Sequence, residues 1–143
     1  MQPRLSFVTL GVEDLPRART FYERLGFRAA QGSNADVTFF DANGVVLALF
    51  GRAALARDAG IENSQPAFSA IALAHNVLGE AEVDKVLDEA VAVGATLLKP
   101  GQKAFWGGYS GYFADPDGHV WEVAFNPFMP LDEKGHVTLE MPR

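Results

Sequence analysis

The chain contains no cysteine. Disulfides, thiolate metal sites and cysteine nucleophiles are thereby excluded, and nothing in the cysteine usage points to an oxidising compartment. Positive charge is also scarce. Lysine and arginine number 12 against 18 aspartates and glutamates, for a formal net charge of -6, the wrong sign for a protein that grips a nucleic-acid backbone through a clustered basic face. Arg17, Arg19, Arg24 and Arg28 lie near one another, but acids alternate with them as on a solvated helix face. Long hydrophobic runs are missing as well. The opening MQPRLSFVTLGVEDL has only about six largely apolar residues before Glu13 and Asp14, too few for a signal segment or a membrane span, so a soluble cytoplasmic protein with neither nucleic-acid nor membrane partners is expected. What remains is ordinary globular usage. With 143 residues, 48% of them hydrophobic and 21% charged, residues 1–143 suffice for a single domain that buries its core without crosslinks.

Punctuation along the chain repeats. LSFVTLGV reads as a strand; Asp14 is a good N-cap, Pro16 fits a first turn, and Ala18, Phe21, Tyr22 and Leu25 share one helical face before Gly26. FRAAQG, ADVTFFD and GVVLALF follow as three short strands, with Asn43 and Gly44 forming a tight turn between the last two. The second half begins again. FSAIALA reads as a strand, EAEVDKVLDEAVAV as a helix with Val83, Val86, Leu87 and Ala90 at spacings of three and four, and ATLLK, YSGYFAD and HVWEVAF as three more strands. The predicted architecture is therefore α+β, with two βαβββ repeat units at residues 5–51 and 68–126, a connector at 52–67 and a tail at 127–143. Each unit would form a mixed sheet with a helix on one face, and a second curved sheet closing over the other face would enclose a cavity.

Two stretches carry a family likeness that spans nearly the whole chain. VEDLPRARTFYERLGF and YFADPDGHVWEV resemble the strand-to-helix opening and the closing hairpin of the vicinal oxygen chelate superfamily, the glyoxalase, bleomycin resistance protein and extradiol dioxygenase fold. Metal-dependent members hold a divalent ion with up to four ligands, one on the first and one on the last strand of each unit. The resemblance puts those positions at Phe7, Ala48, Ala70 and Glu122. Only the last has a donor side chain. A divalent ion that keeps a position open for substrate normally uses three protein ligands of His, Asp or Glu type, so a lone carboxylate implies no metal and no other cofactor. By strand alternation His75 faces away from Ala70 and His119 away from Glu122, while His136 lies in the polar tail.

Glu122 then needs another explanation, because its neighbours in the strand are apolar. Burial would favour the neutral carboxyl, making it a hydrogen-bond donor or a general base suited to neutral pH. If Asp115, Pro116, Asp117 and Gly118 form a type I turn with Gly118 in a left-handed bulge, Tyr112 falls opposite Glu122 on the same face. The two are the candidate catalytic or anchoring pair, with the phenol as proton donor or oxyanion stabiliser. Alternation adds Phe7, Thr9, Val46, Ala48, Phe50 and Ala70 as candidate ligand contacts. Phe105, Trp106 and Tyr109, beside Gly107 and Gly108, form a candidate cover. Phe39 and Trp121 are assigned to the core beneath the helices. The expected function is metal-independent binding of a small aromatic or apolar ligand, as in antibiotic-sequestering members, by a homodimer. The alternative is a lyase, isomerase or dioxygenase that uses Glu122 as a base or as ligand to a divalent metal.

Overall fold

The computed structural model describes residues 1–142. The chain divides into two compact units, the first spanning Met1–Ala67 and the second beginning at Phe68. Together they hold seven strands in two mixed sheets and three helices. Among the described residues no helix is long and apolar enough to cross a membrane.

The first unit runs β1 (Phe7–Val12), α1 (Leu15–Leu25), β2 (Val37–Asp41), β3 (Val46–Gly51) and α2 (Arg52–Ala59). Local chemistry sets the limits of α1. The Asp14 carboxylate accepts the Arg17 backbone N–H at 2.9 Å, Pro16 sits in the first turn where no amide proton is needed, and Gly26 turns left-handed at φ 117° to end the helix. Ala18, Phe21 and Tyr22 are buried, and the rings of Tyr22, Phe27 and Phe40 pack together. The sheet has order β1-β3-β2, with β1 parallel to β3 and β2 antiparallel to it. Asn43 and Gly44, both at positive φ, make the tight turn between β2 and β3.

One predicted strand does not form. FRAAQG meets the sheet only through an isolated bridge between Ala29 and Phe40, so the first sheet has three strands rather than four. Side chains divert the backbone there. Ser33 Oγ takes the Phe39 N–H at 3.0 Å and Asn34 Oδ1 takes the Asp36 N–H at 2.8 Å, in competition with a continuous ladder. The start of the connector forms α2, which packs at one end of the face opposite α1. Gly11 lies beneath its first turn, 3.4 Å separating the Arg52 Cα from where a Cβ would stand.

The second unit runs β4 (Ala72–Asn76), α3 (Glu80–Ala92), β5 (Thr96–Lys103), β6 (Tyr109–Ala114) and β7 (Val120–Phe125), with sheet order β4-β7-β6-β5. Val83, Leu87 and Ala90 form the buried stripe of α3. They lie against Gly111, Phe113, Trp121 and Val123, the residues of β6 and β7 on the helix side. Phe113 and Trp121 stack at 6.0 Å between ring centroids, so Trp121 occupies the expected core position. Strand β4 begins at Ala72, four residues later than FSAIALA suggests. Ala70 stands outside it at φ 58°, a left-handed conformation incompatible with a strand.

Gly111 sets the distance between α3 and the sheet. A Cβ at this position would lie 2.5 Å from Leu87 Cδ1 and 2.8 Å from the Lys99 carbonyl oxygen, and the carbonyl cannot swing aside as a side chain could. Gly111→Ala should therefore lower stability by about 1–3 kcal/mol, seen as a lower midpoint in urea denaturation with an unchanged slope. An unchanged midpoint would mean that α3 does not rest on this residue.

Candidate functional site

The hairpin joining β6 to β7 aims the polar pair. Asp115 accepts the Asp117 and His119 backbone N–H groups at 2.9 Å each, its own N–H donates to the His119 carbonyl, and Gly118 adopts φ 87°. This turn fixes one register, with Ala114 opposite Val120, Tyr112 opposite Glu122 and Ser110 opposite Ala124. On the other side β4 runs parallel to β7 and sets Ala72 beside Val120, Ala74 beside Glu122 and Asn76 beside Ala124. By strand alternation all nine residues share the face turned away from α3. Most of them are small. The row is therefore a shelf of methyl groups and one hydroxyl from which Tyr112 and Glu122 project.

Tyr112 Oη donates to Glu122 Oε2 at 2.5 Å, the length of a hydrogen bond from a hydroxyl to a carboxylate. Both residues are half-buried. This bond, helped by partial burial and by the carboxylate's charge, pushes the Tyr112 phenol up to about 12. The phenol proton is thus committed to the acid. No cation lies within ion-pair reach of Glu122 among the described residues; pairs elsewhere include Arg19 with Glu23, Lys85 with Glu89 and Lys103 with Glu80.

The other anticipated residues are distributed over several places. In the first unit Phe7 pairs with Val46 and Thr9 with Ala48 in the β1 and β3 ladder, and these four residues share a face. Phe39 joins them rather than the helix side: it pairs with Ala48, and its ring meets that of Phe7 edge-on at 6.1 Å. Ala48 is fully covered, so its small size leaves no open space at that point. Phe50 borders a shallow depression of about 450 Å³ together with Glu13, Leu15, Ala35, Asp36, Gly51 and Ala54.

In the second unit three placements differ from expectation. Ala70 is not on the strand, and the counterpart of Phe7 is Ala72. Phe7 pairs with Val46, two residues before Ala48, just as Ala72 pairs with Val120, two residues before Glu122. The correction replaces one alanine with another, so the donor count at the four positions stays at one. Tyr109 lies on the opposite face from Tyr112 and donates to Asp84 Oδ1 of α3 at 2.8 Å. The Phe105 and Trp106 segment is a tight turn, closed by the Ala104 N–H to the Gly108 carbonyl at 2.9 Å and the Gly107 N–H to the Ala104 carbonyl at 3.0 Å. Trp106 lies on Gly108, where a Cβ would fall 1.8 Å from its ring. Phe105 is fully exposed.

Lys99 escaped the sequence reading. It stands opposite Tyr112 across β5 and β6, at a point where two irregularities in β5 break the alternation, and it is exposed. A metal ion does not fit the donor set. Phe7, Ala48 and Ala72 offer hydrocarbon where ligands would be needed, and no three His, Asp or Glu side chains gather into a group able to hold an ion among the described residues.

A profile of the Glyoxalase/Bleomycin resistance protein/Dioxygenase superfamily matches residues 4–123. A metallothiol transferase, FosB, of Lysinibacillus sphaericus is 29% identical over 118 residues, covering 82% of this chain and 79% of that protein. The crystal structure of a glyoxalase-related enzyme from Fulvimarina pelagi superposes with a TM-score of 0.88 at 39% identity, covering 97% of this chain and 99% of the other. A lactoylglutathione lyase from Agrobacterium tumefaciens shares the fold, with a TM-score of 0.67 at 23% identity over 88% of this chain and 96% of its own.

The bond between Tyr112 and Glu122 can be read by titration. Because the folded-state phenol value is raised, the stabilisation is complete below the unfolded value of about 10 and is lost as pH rises through about 12. In a Tyr109→Phe background, which removes the tyrosine bonded to Asp84, Glu122→Gln should move the Tyr112 tyrosinate absorbance change down towards pH 10. Superimposable titrations with and without Glu122 would show that no such bond exists.

Proposed function

Because the chain belongs to the Glyoxalase/Bleomycin resistance protein/Dioxygenase superfamily, we propose that it binds and sequesters a small aromatic or apolar molecule without a metal ion. One observation carries this reading: of the four positions where metal-dependent members place ligands, three hold Phe7, Ala48 and Ala72, and the fourth, Glu122, is engaged by a phenol. The relatives named as a metallothiol transferase and a lactoylglutathione lyase mark the chemistry this superfamily supports elsewhere. This chain has kept the scaffold and the acid while the remaining donors are absent.

The shelf suits a flat guest. Ala72 and Ala74 are exposed and leave the sheet surface low beside the acid, so an aromatic ring can lie against it and exclude water. Burying about 150 Å² of apolar ligand surface contributes on the order of 4 kcal/mol, which by itself corresponds to about millimolar binding. Tighter binding requires the polar pair. In the first unit Phe7 and Phe39, set around Thr9 and Ala48, offer a second aromatic surface for the same class of molecule.

An enzymatic reading uses the same acid. Glu122 Oε1 carries no bond from Tyr112, so it is free to take a proton from a bound substrate, with Glu122 acting as the base of a lyase or isomerase. Calorimetry tests the metal-free proposal. Naphthalenemethanol titrated into protein stripped of metal by chelator and then freed of the chelator should give saturable heat, unchanged by added zinc, manganese or nickel. Heat that appears only after a metal ion is supplied would overturn it.

A further inference from the structure

The pair has a chemical polarity that the proposed binding reading leaves open. Tyr112 has one hydroxyl proton and donates it in a hydrogen bond to Glu122, so the hydroxyl has none to offer a guest. What faces outward is a set of lone pairs: Glu122 Oε1, the remaining lone pair of Oε2 and those of the phenol oxygen. The pair thus accepts hydrogen bonds and carries a charge of one electron. No protein cation balances that charge at ion-pair distance among the described residues. Lys99, the one basic residue beside Tyr112 in the ladder, is exposed and makes no ion pair with Glu122.

A guest lying on this shelf must strip water from a carboxylate whose neighbours are Ala72, Ala74, Val120 and Ala124. That loss is costly unless the guest supplies a donor of its own, and it is best compensated by a donor of opposite charge. A carbonyl, carboxylate or phosphonate set against the pair would oppose lone pair to lone pair. The net charge of -6 adds a long-range attraction for cations.

We infer that Tyr112 and Glu122 form an acceptor-only anchor that selects ligands bearing a protonated nitrogen on a flat apolar body. The inference rests on the small-molecule binding reading and narrows it to aromatic amines, amidines and guanidines. Selectivity comes from Glu122, while Tyr112 is a positioning residue that holds the carboxylate's geometry and shields one of its oxygens.

Three probes with one ring system test it: naphthylmethylamine, naphthalenemethanol and naphthoate, titrated by calorimetry at neutral pH in chelator. The wild-type protein should bind the amine about tenfold or more tighter than the alcohol, as expected for a hydrogen bond between charged groups, and naphthoate most weakly. Glu122→Gln should remove most of the amine's advantage over the alcohol. Tyr112→Phe should keep the order amine over alcohol. The wild-type ranking needs no variant to fold: equal affinity for amine and alcohol would sink this inference while leaving small-molecule binding intact. An amine preference that survives Glu122→Gln would place the selectivity elsewhere and overturn the assignment. Absence of saturable heat with all three probes would overturn both readings.

Discussion

A hydrogen bond donated by a phenol to an adjacent carboxylate, on a face of small side chains, governs the chemistry of the candidate site. The bond determines what each partner can offer. It keeps Tyr112 neutral, occupies one oxygen of Glu122 and holds the other towards whatever covers the shelf. No basic side chain lies within ion-pair distance of that carboxylate among the described residues. A purely structural hydrogen bond between neighbouring strands would be served as well by two neutral groups.

The scaffold brings this about with few decisions. The turn at Asp115 to Gly118 sets the register of β6 against β7, and one residue of slippage would send Tyr112 and Glu122 to opposite faces. On the helix side Gly111 lets Leu87 reach the sheet, and the stack of Phe113 with Trp121 fills the space beside it. The helix face is thereby closed. The proposed binding chemistry uses the other face, where Ala72 and Ala74 are exposed beside the acid. The first unit repeats the plan in hydrocarbon, with Ala48 and Phe39 where the second has an acid and a phenol.

Where the chain declares itself by local chemistry, the sequence could be read directly. Asp14, Pro16 and Gly26 bound α1, Asn43 and Gly44 turn the first hairpin, and the register opposing Tyr112 to Glu122 follows from the second. Other features were hidden because alternation tells which face a residue takes but not where a strand begins. Ala70 and Ala72 have the same parity, and only the left-handed backbone at Ala70 separates them. Parity itself would have placed Tyr109 away from Tyr112, had the cluster of aromatics not suggested a common lid. FRAAQG failed as a strand because Ser33 and Asn34 draw backbone amides to their own side chains. Lys99 was obscured by the irregular path of β5, which no hydrophobic period reveals.

The proposed metal independence of this chain is a matter of donors, and elemental analysis addresses it most directly. Protein purified without chelator should contain substoichiometric zinc, nickel, manganese and iron, at the same level with Glu122 present or replaced by glutamine. One equivalent of any of these ions per chain, lost when Glu122 is replaced, would contradict the account.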